Sequence, residues 1–244
     1  MKYSSRQTPN KHWLKRIDWV LIGILTILAI FSVTLISSAM GGGQYSANFS
    51  IRQVIYYILG AFIALIIMLF SPKKIKKNTY LLYFIFCVLL IGLLILPETP
   101  ITPVINGASS WYSFGPVSIQ PSEFMKIVLI LALAKIVERH NRFTFNKSLQ
   151  SDLVLFFKII GVSIIPMALI LLQNDLGTTL VICAVIAGVM LVSGITWRLL
   201  APLFISVIVF GSSIILAILY APSVIEKSLG VKMYQMGRIN SWLD

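Results

Sequence analysis

Charge is what this sequence has least of. Only 11% of its 244 residues are charged, and 8 Asp and Glu stand against 20 Lys and Arg, where a soluble domain is about 25% charged. So few charges cannot coat a water-exposed globule of this size, which excludes an ordinary soluble enzyme. Cysteine is nearly as scarce: Cys87 and Cys183 both lie inside apolar runs, and such residues are expected to be buried as small hydrophobes rather than paired or metal-bound. The two histidines, His12 and His140, have no Cys or acidic residue at ligand spacing, which argues against a metal site. Walker A, GxGxxG and HExxH patterns are missing, against a nucleotide-driven pump or a zinc protease. No repeat with a period of about 20–50 residues and no low-complexity segment is present.

Apolar residues are what is there, 58% of the chain with a mean hydropathy of +0.91. About 18 consecutive apolar residues suffice to cross a bilayer as a helix. Such runs fall at 17–38, 54–70, 80–96, 123–137, 153–172, 176–193 and 199–220. The expected fold is all-α, a polytopic transmembrane helical bundle with seven spans. The run at 123–137 is the shortest, and Gln120-Pro121-Ser122-Glu123 before it is a helix-start signal. Gln173, Asn174 and Asp175 alone separate the fifth and sixth runs, so these form a tight antiparallel pair.

Lys and Arg set the orientation, because short cytoplasmic loops carry an excess of them. On one side lie Lys2, Arg6, Lys11, Lys15 and Arg16, then Lys73, Lys74, Lys76 and Lys77, then Lys135, Arg139, Arg142 and Lys147, and Arg198. The other side has Arg52, Lys227, Lys232 and Arg238. The expected layout is a cytoplasmic basic arm at 1–16, a membrane domain at 17–220 and an outer segment at 221–244. The arm resembles a signal n-region, but no cleavage site follows, so the first run is read as a retained anchor. Seven spans with the amino terminus inside do not fit a seven-helix receptor. The basic residues do not form one soluble patch, so the charge gives no reason to expect nucleic acid. Lys158, inside the fifth run, is expected to snorkel to the inner interface.

Ionisable groups at membrane depth are costly and mark function. Glu123, Lys126 and Asp175 are the ones no cytoplasmic loop explains, and the orientation gathers all three near the outer face. Glu123 and Lys126 are three apart on a helix and able to pair, either as a brace at the helix entry or as the lining of a water-filled cavity. Asp175 caps the sixth helix, and Gln173 and Asn174 have the composition of turn residues. The connection from Pro97 to Pro121 contains no Lys or Arg and carries Trp111, Tyr112, Gly107 and Gly115. Its aromatics form either an interfacial belt or a stacking surface at the mouth of a cavity. Gly41-Gly42-Gly43 is read as an outer turn.

Two stretches carry a resemblance. Asn106-Gly107-Ala108-Ser109-Ser110-Trp111 with Ile119-Gln120-Pro121-Ser122-Glu123-Phe124-Met125-Lys126, and then Gln173-Asn174-Asp175-Leu176-Gly177-Thr178, resemble the SEDS (RodA/FtsW/SpoVE) proteins of bacteria over the whole chain. Gly194-Ile195-Thr196-Trp197-Arg198 resembles the RodA branch more than the FtsW branch. The resemblance implies a ten-span fold, with a large outer loop after the seventh helix. It also implies a RodA-like peptidoglycan glycosyltransferase, polymerising lipid II into glycan strands for cell elongation and rod shape. The implied partners are a class B penicillin-binding protein and the cell-elongation complex. Gln120, Ser122, Glu123, Lys126, Trp111, Gln173 and Asp175 match substrate-site positions, and the family chemistry leaves open whether a divalent cation joins Lys126 in stabilising the leaving pyrophosphate. The family's proposed catalytic aspartate, in an H-T-D-F segment late in the outer loop, is expected beyond Asp244, which matches only the loop entry. Asn174 stands where Pro is common in the family, and Ser110 where a basic residue often stands. Two other functions share these features: a flippase for lipid-linked precursor, and a nonenzymatic membrane scaffold for a penicillin-binding protein. A small-solute transporter lacks the inverted repeat and interrupted helices it would need.

Overall fold

A computed structural model describes residues 18–41, 48–105, 107–115, 117–144 and 148–220. The basic arm at 1–16, Gly42 and Gly43, Asn106, Lys147 and the segment 221–244 with Asp244 lie outside the described residues. Seven helices match the seven apolar runs in order: α1 (Trp19–Met40), α2 (Phe49–Leu69), α3 (Pro72–Ile95), α4 (Pro121–Phe143), α5 (Leu149–Leu172), α6 (Leu176–Val192) and α7 (Trp197–Tyr220). On length and composition, α1, α2, α3 and α5 qualify as membrane spans. The 22 residues of α1 reach roughly 33 Å at 1.5 Å per residue, the thickness of a hydrocarbon core. α6 is 17 residues long. α4 carries Glu123, Lys126, Lys135, Glu138, Arg139 and Arg142 along its length.

The chain separates into two compact units, one of residues 1–75 with 113–119 and one of 76–112 with 120–244. In the first, Asp18 caps α1 by accepting from the Val20 and Leu21 amides, and Asn48 caps α2 by accepting from Ile51. Neither α1 nor α2 buries a residue in this chain. Their exposed Val20, Leu28, Phe31, Ile58, Phe62 and Leu69 would form a prohibitive patch in water, and are in place facing lipid. Gln53 Nε2 donates to Ser32 Oγ between the two helices at 3.4 Å.

The second unit holds the core. Leu90 of α3, Met125, Leu129 and Leu133 of α4, Leu155, Ile159 and Ile170 of α5, Ile182 of α6 and Leu200 of α7 are all 1% exposed or less. The buried residues of α4 recur at three- and four-residue spacing, the stripe of a helix packed on one face, and α4 packs against both α5 and α6. Pro166 interrupts α5. It cannot supply an amide to the Val162 carbonyl one turn earlier, and Tyr83 Oη of α3 donates to that carbonyl at 2.7 Å. An orphan that hydrocarbon would penalise is thereby satisfied from a neighbouring helix. At the other end of α4, Asn141 Nδ2 donates to Ser193 O at 2.9 Å and the Thr196 amide to the buried Asp152 carboxylate at 2.9 Å.

The structure corrects several sequence expectations. α3 begins at Pro72 and α4 runs to Phe143, so Lys73, Lys74, Lys76, Lys77, Arg139 and Arg142 sit on helices rather than in connections. Hydropathy misses such polar turns, although Pro at the first helical position and Lys within are good helix residues. Lys158 lies deeper in α5 than its apolar run suggests, because that helix starts at Leu149. Cys87 is buried as expected, but Cys183 is exposed on α6. Among the described residues the regular structure is helical except for one hairpin, β1 (Tyr112–Phe114) with β2 (Val117–Ile119). Its sequence alternates apolar and Ser residues around Gly115, whose φ is 64°; Tyr56 Oη accepts from the Ser118 amide at 2.8 Å.

Candidate functional site

The start of α4, the α5–α6 turn and the connection before the hairpin converge in the second unit. The α5–α6 turn is tight because Asn174 adopts a left-handed backbone with φ of 59°, a conformation Asn tolerates better than other side chains. Asp175 then caps α6, accepting from the Thr178 amide at 3.1 Å and from Thr178 Oγ1 at 2.8 Å. The same carboxylate accepts from Gln120 Nε2 at 2.7 Å. Gln120 is the residue just before α4 and makes no side-chain cap of its own helix. One aspartate therefore holds two helix amino termini side by side.

Lys126 and Glu123 form the expected pair, 2.8 Å apart on one face of α4. The Lys126 side chain is 20% exposed and Glu123 52%, so the ammonium is the more enclosed partner. A cavity of about 470 Å³ opens here, lined by Gln120, Glu123, Lys126, Asp175, Thr178 and Trp111, with Ser110 and Asn174 among its other walls. Five of the sequence-derived site residues, Trp111, Gln120, Glu123, Lys126 and Asp175, thus share one space.

Two others stand behind its wall. Ser122 is fully buried and Gln173 is 1% exposed, and neither lines the cavity. Gln173 Nε2 donates to the Leu90 carbonyl at 2.9 Å, and its own backbone carbonyl accepts from the Ser109 amide at 3.1 Å. It ties α3, the long connection and the α5–α6 turn together. Tyr112 Oη adds a second tie, donating to the Leu89 carbonyl at 3.0 Å, and burial pushes its phenol pKa up. That ring needs Gly92: a Cβ there would sit 2.6 Å from the hydroxyl. Thr178 is the site residue that the sequence reading left out as a contributor; its place three after a capping Asp was the available signal.

Chemically, the cavity offers one cation, Lys126, beside the carboxylates of Glu123 and Asp175; the positive end of α6 is answered by its own Asp175 cap. Among the described residues no three His, Cys, Asp or Glu gather in a way that could hold a metal. The Asp175 oxygens are taken up by Gln120 and Thr178. The two carboxylates at the cavity are both engaged, Glu123 by Lys126 and Asp175 as a cap.

A model of the FtsW/RodA/SpoVE family, described as cell cycle protein, matches residues 12–244. The chain is 27% identical over 249 residues to a probable peptidoglycan glycosyltransferase FtsW of Hydrogenovibrio crunogenus, covering 97% of this chain and 57% of that protein. It is 29% identical over 187 residues to the peptidoglycan glycosyltransferase RodA of Treponema pallidum, covering 75% and 40%. Among solved structures it resembles the rod shape determining protein RodA of Thermus thermophilus, with a TM-score of 0.59 and 28% identity over 79% of this chain and 59% of that one. A chain from a structure titled for a peptidoglycan synthase complex that coordinates polymerization and crosslinking matches with a TM-score of 0.63 and 27% identity, over 93% of this chain and 59% of its own. The chain therefore matches 40–59% of the length of these relatives. FtsW names outnumber RodA names among the curated relatives, so the RodA branch suggested by residues 194–198 is not singled out.

Proposed function

This chain belongs to the FtsW/RodA/SpoVE family, a multi-pass bacterial membrane protein, and we propose that it forms the substrate-holding part of a peptidoglycan glycosyltransferase that polymerises lipid II. The observation that carries the reading is the convergence of the α4 and α6 amino termini on a cavity that also holds Lys126. In the reaction, a sugar hydroxyl attacks the anomeric carbon of a second lipid-linked sugar. The new glycosidic C–O bond forms as the bond to pyrophosphate breaks. The hydroxyl proton goes to a base, and lipid pyrophosphate leaves with the electron pair. Charge develops on that leaving group, where the Lys126 ammonium lowers its energy without reorganising. Glu123 positions the Lys126 ammonium, and Asp175 fixes the spacing of the two helices through Gln120.

Both cavity carboxylates are engaged, Glu123 by Lys126 and Asp175 as a cap, and in this reading the base is the aspartate of the outer loop that the family resemblance implies. The amino terminus is on the cytoplasmic side and the cavity opens outward, as the distribution of Lys and Arg favours. A class B penicillin-binding protein is the partner in this reading, and an elongation role the more specific one; the likeness to a chain of a peptidoglycan synthase complex supports the partnership. The same engaged carboxylates also suit a precursor flippase, which needs a polar cavity and no base.

Glycan polymerisation from labelled lipid II tests this, with chain 1–244 beside a version extended through the outer loop and the last three spans. Polymer is expected only from the extended protein, and Lys126→Ala there should lower the rate by roughly 10²-fold, the usual cost of removing one preorganised charge-stabilising group. Wild-type polymer from both Lys126→Ala and Glu123→Ala would overturn the site. Lipid II movement across vesicles without any polymer would assign the flippase instead.

A further inference from the structure

A second cavity, of about 460 Å³, lies at the opposite end of α4 and is lined by Tyr80, Arg139, His140, Phe143 and Lys158, with Ile136 and Thr144. Three helices supply cations or a phenol to one space, and no acidic residue lines it. The nearby acids are committed elsewhere. Glu138 pairs with Lys76 and with Arg142, and Asp152 is buried against the Thr196 amide. Among the described residues, Arg139 and Lys158 make no hydrogen bond or ion pair, and the Tyr80 hydroxyl has no partner either, although its ring stacks under the Lys135 ammonium at 4.3 Å. His140 is held in place by Ser151 at 2.9 Å.

Lys158 is the informative member. It stands roughly 13 Å along α5 from the helix start at 1.5 Å per residue, exposed beside the exposed Val154 and Phe157. An ammonium on such a face is costly in hydrocarbon unless it reaches water or an anion. The cavity it reaches also holds Arg139, so water alone leaves these two like charges unanswered. A phosphate answers them. The exposed Phe143 in the cavity wall, with the exposed Val154 and Phe157 within one turn of Lys158 on α5, offers an acyl chain an apolar path that a free ion would not use.

We propose that this cavity binds the phosphate of an anionic phospholipid headgroup, with Arg139 and Lys158 as charge partners, Tyr80 as hydroxyl donor and the acyl chains lying along α5. Basic pockets between membrane helices on the cytoplasmic side take such headgroups, and this end is the Lys- and Arg-rich one. The site is separate from the cavity beside Lys126.

The test is retention of phospholipid by the purified protein, as its cell produces it, from nanodiscs of mixed phosphatidylglycerol and phosphatidylcholine, read by native mass spectrometry. Arg139→Ala with Lys158→Ala should lower retained phosphatidylglycerol by about tenfold or more, since each basic side chain near an anionic surface is worth about 1 kcal/mol, a factor of about five. Tyr80→Phe, which keeps the ring and so the fold, should lower it by a smaller factor. Lys73→Ala with Lys77→Ala, which removes two charges from the same end but none from the cavity, should leave most of it. Equal losses from the two double variants would reduce the effect to general surface charge and overturn the site. Displacement of the lipid by inorganic phosphate at millimolar concentration would also overturn it, by showing a site for the free ion.

Discussion

Replacing Tyr83 with Phe should destabilise the protein only because Pro166 is present. In the native chain the Val162 carbonyl has lost its α-helical donor to Pro166 and is served by the Tyr83 hydroxyl at 2.7 Å. Interhelical side-chain hydrogen bonds in membrane proteins average about 0.6 kcal/mol and reach about 1.7. Here the orphaned carbonyl has no water to turn to, so the cost of Tyr83→Phe belongs at the upper end, about 1–1.7 kcal/mol. In a Pro166→Ala background the amide of residue 166 can close the ladder, and the same Tyr83→Phe change should cost under about 0.5 kcal/mol. The coupling energy of the cycle is then about 1 kcal/mol. Unfolding of purified protein in SDS-titrated mixed micelles measures all four species. An equal loss in the native and Pro166→Ala backgrounds would refute the reasoning, since the hydroxyl would then be acting on something other than the orphaned carbonyl.

Asp175→Ala should cost about 2–4 kcal/mol, from the lost cap and the charge-assisted bond to Gln120, whereas Asp175→Asn should keep the cap and, with the Gln120 amide reversed, most of the stability; thermal unfolding of the two in detergent separates them. Gly92→Ala should drive the Tyr112 hydroxyl from the Leu89 carbonyl and cost about 1–3 kcal/mol, as overpacking does, seen as faster proteolysis of the connection at 97–112. Glu138 lies beyond the apolar part of α4, and a hydrogen bond and then the charge of Lys76, with Arg142 adding to it, hold its carboxyl below the usual range. A depressed carboxylate contributes above its unfolded pKa and loses that contribution as pH falls through its folded pKa. Any difference in thermal midpoint between native protein and Glu138→Gln should therefore be present at neutral pH and close below the ordinary glutamate range.

The sequence made the helices legible because apolar runs must become helices in a bilayer, and their order and number follow from the runs alone. The ends were less legible where polar turns continue a helix: the lysines of α3 and the charged last turns of α4 look like loop by hydropathy and are helix by propensity and packing. The cavity was legible in outline, since charges at membrane depth stand out, and Glu123, Lys126 and Asp175 do meet. Tertiary partners were not. Nothing local says that Gln120 reaches Asp175 across fifty-five positions, that Gln173 turns inward to the Leu90 carbonyl rather than outward to the cavity, or that Arg139 and Lys158 share a space. Such facts depend on how α3, α4, α5 and α6 pack, which spacing along one helix does not encode. The hairpin at 112–119 was missed for a related reason: three-residue strands fall below the length at which alternation is a usable signal.

Binding of lipid II to the purified protein, read by photocrosslinking in nanodiscs with undecaprenyl pyrophosphate as competitor, tests most directly that the cavity between α4 and α6 receives a lipid-linked pyrophosphate. The account predicts saturable labelling that the competitor displaces, mapping to the peptides containing Gln120–Lys126 and Asp175–Thr178 and lost in Lys126→Ala but kept in Lys158→Ala. Labelling that is unchanged in Lys126→Ala, or that maps away from both peptides, would contradict it.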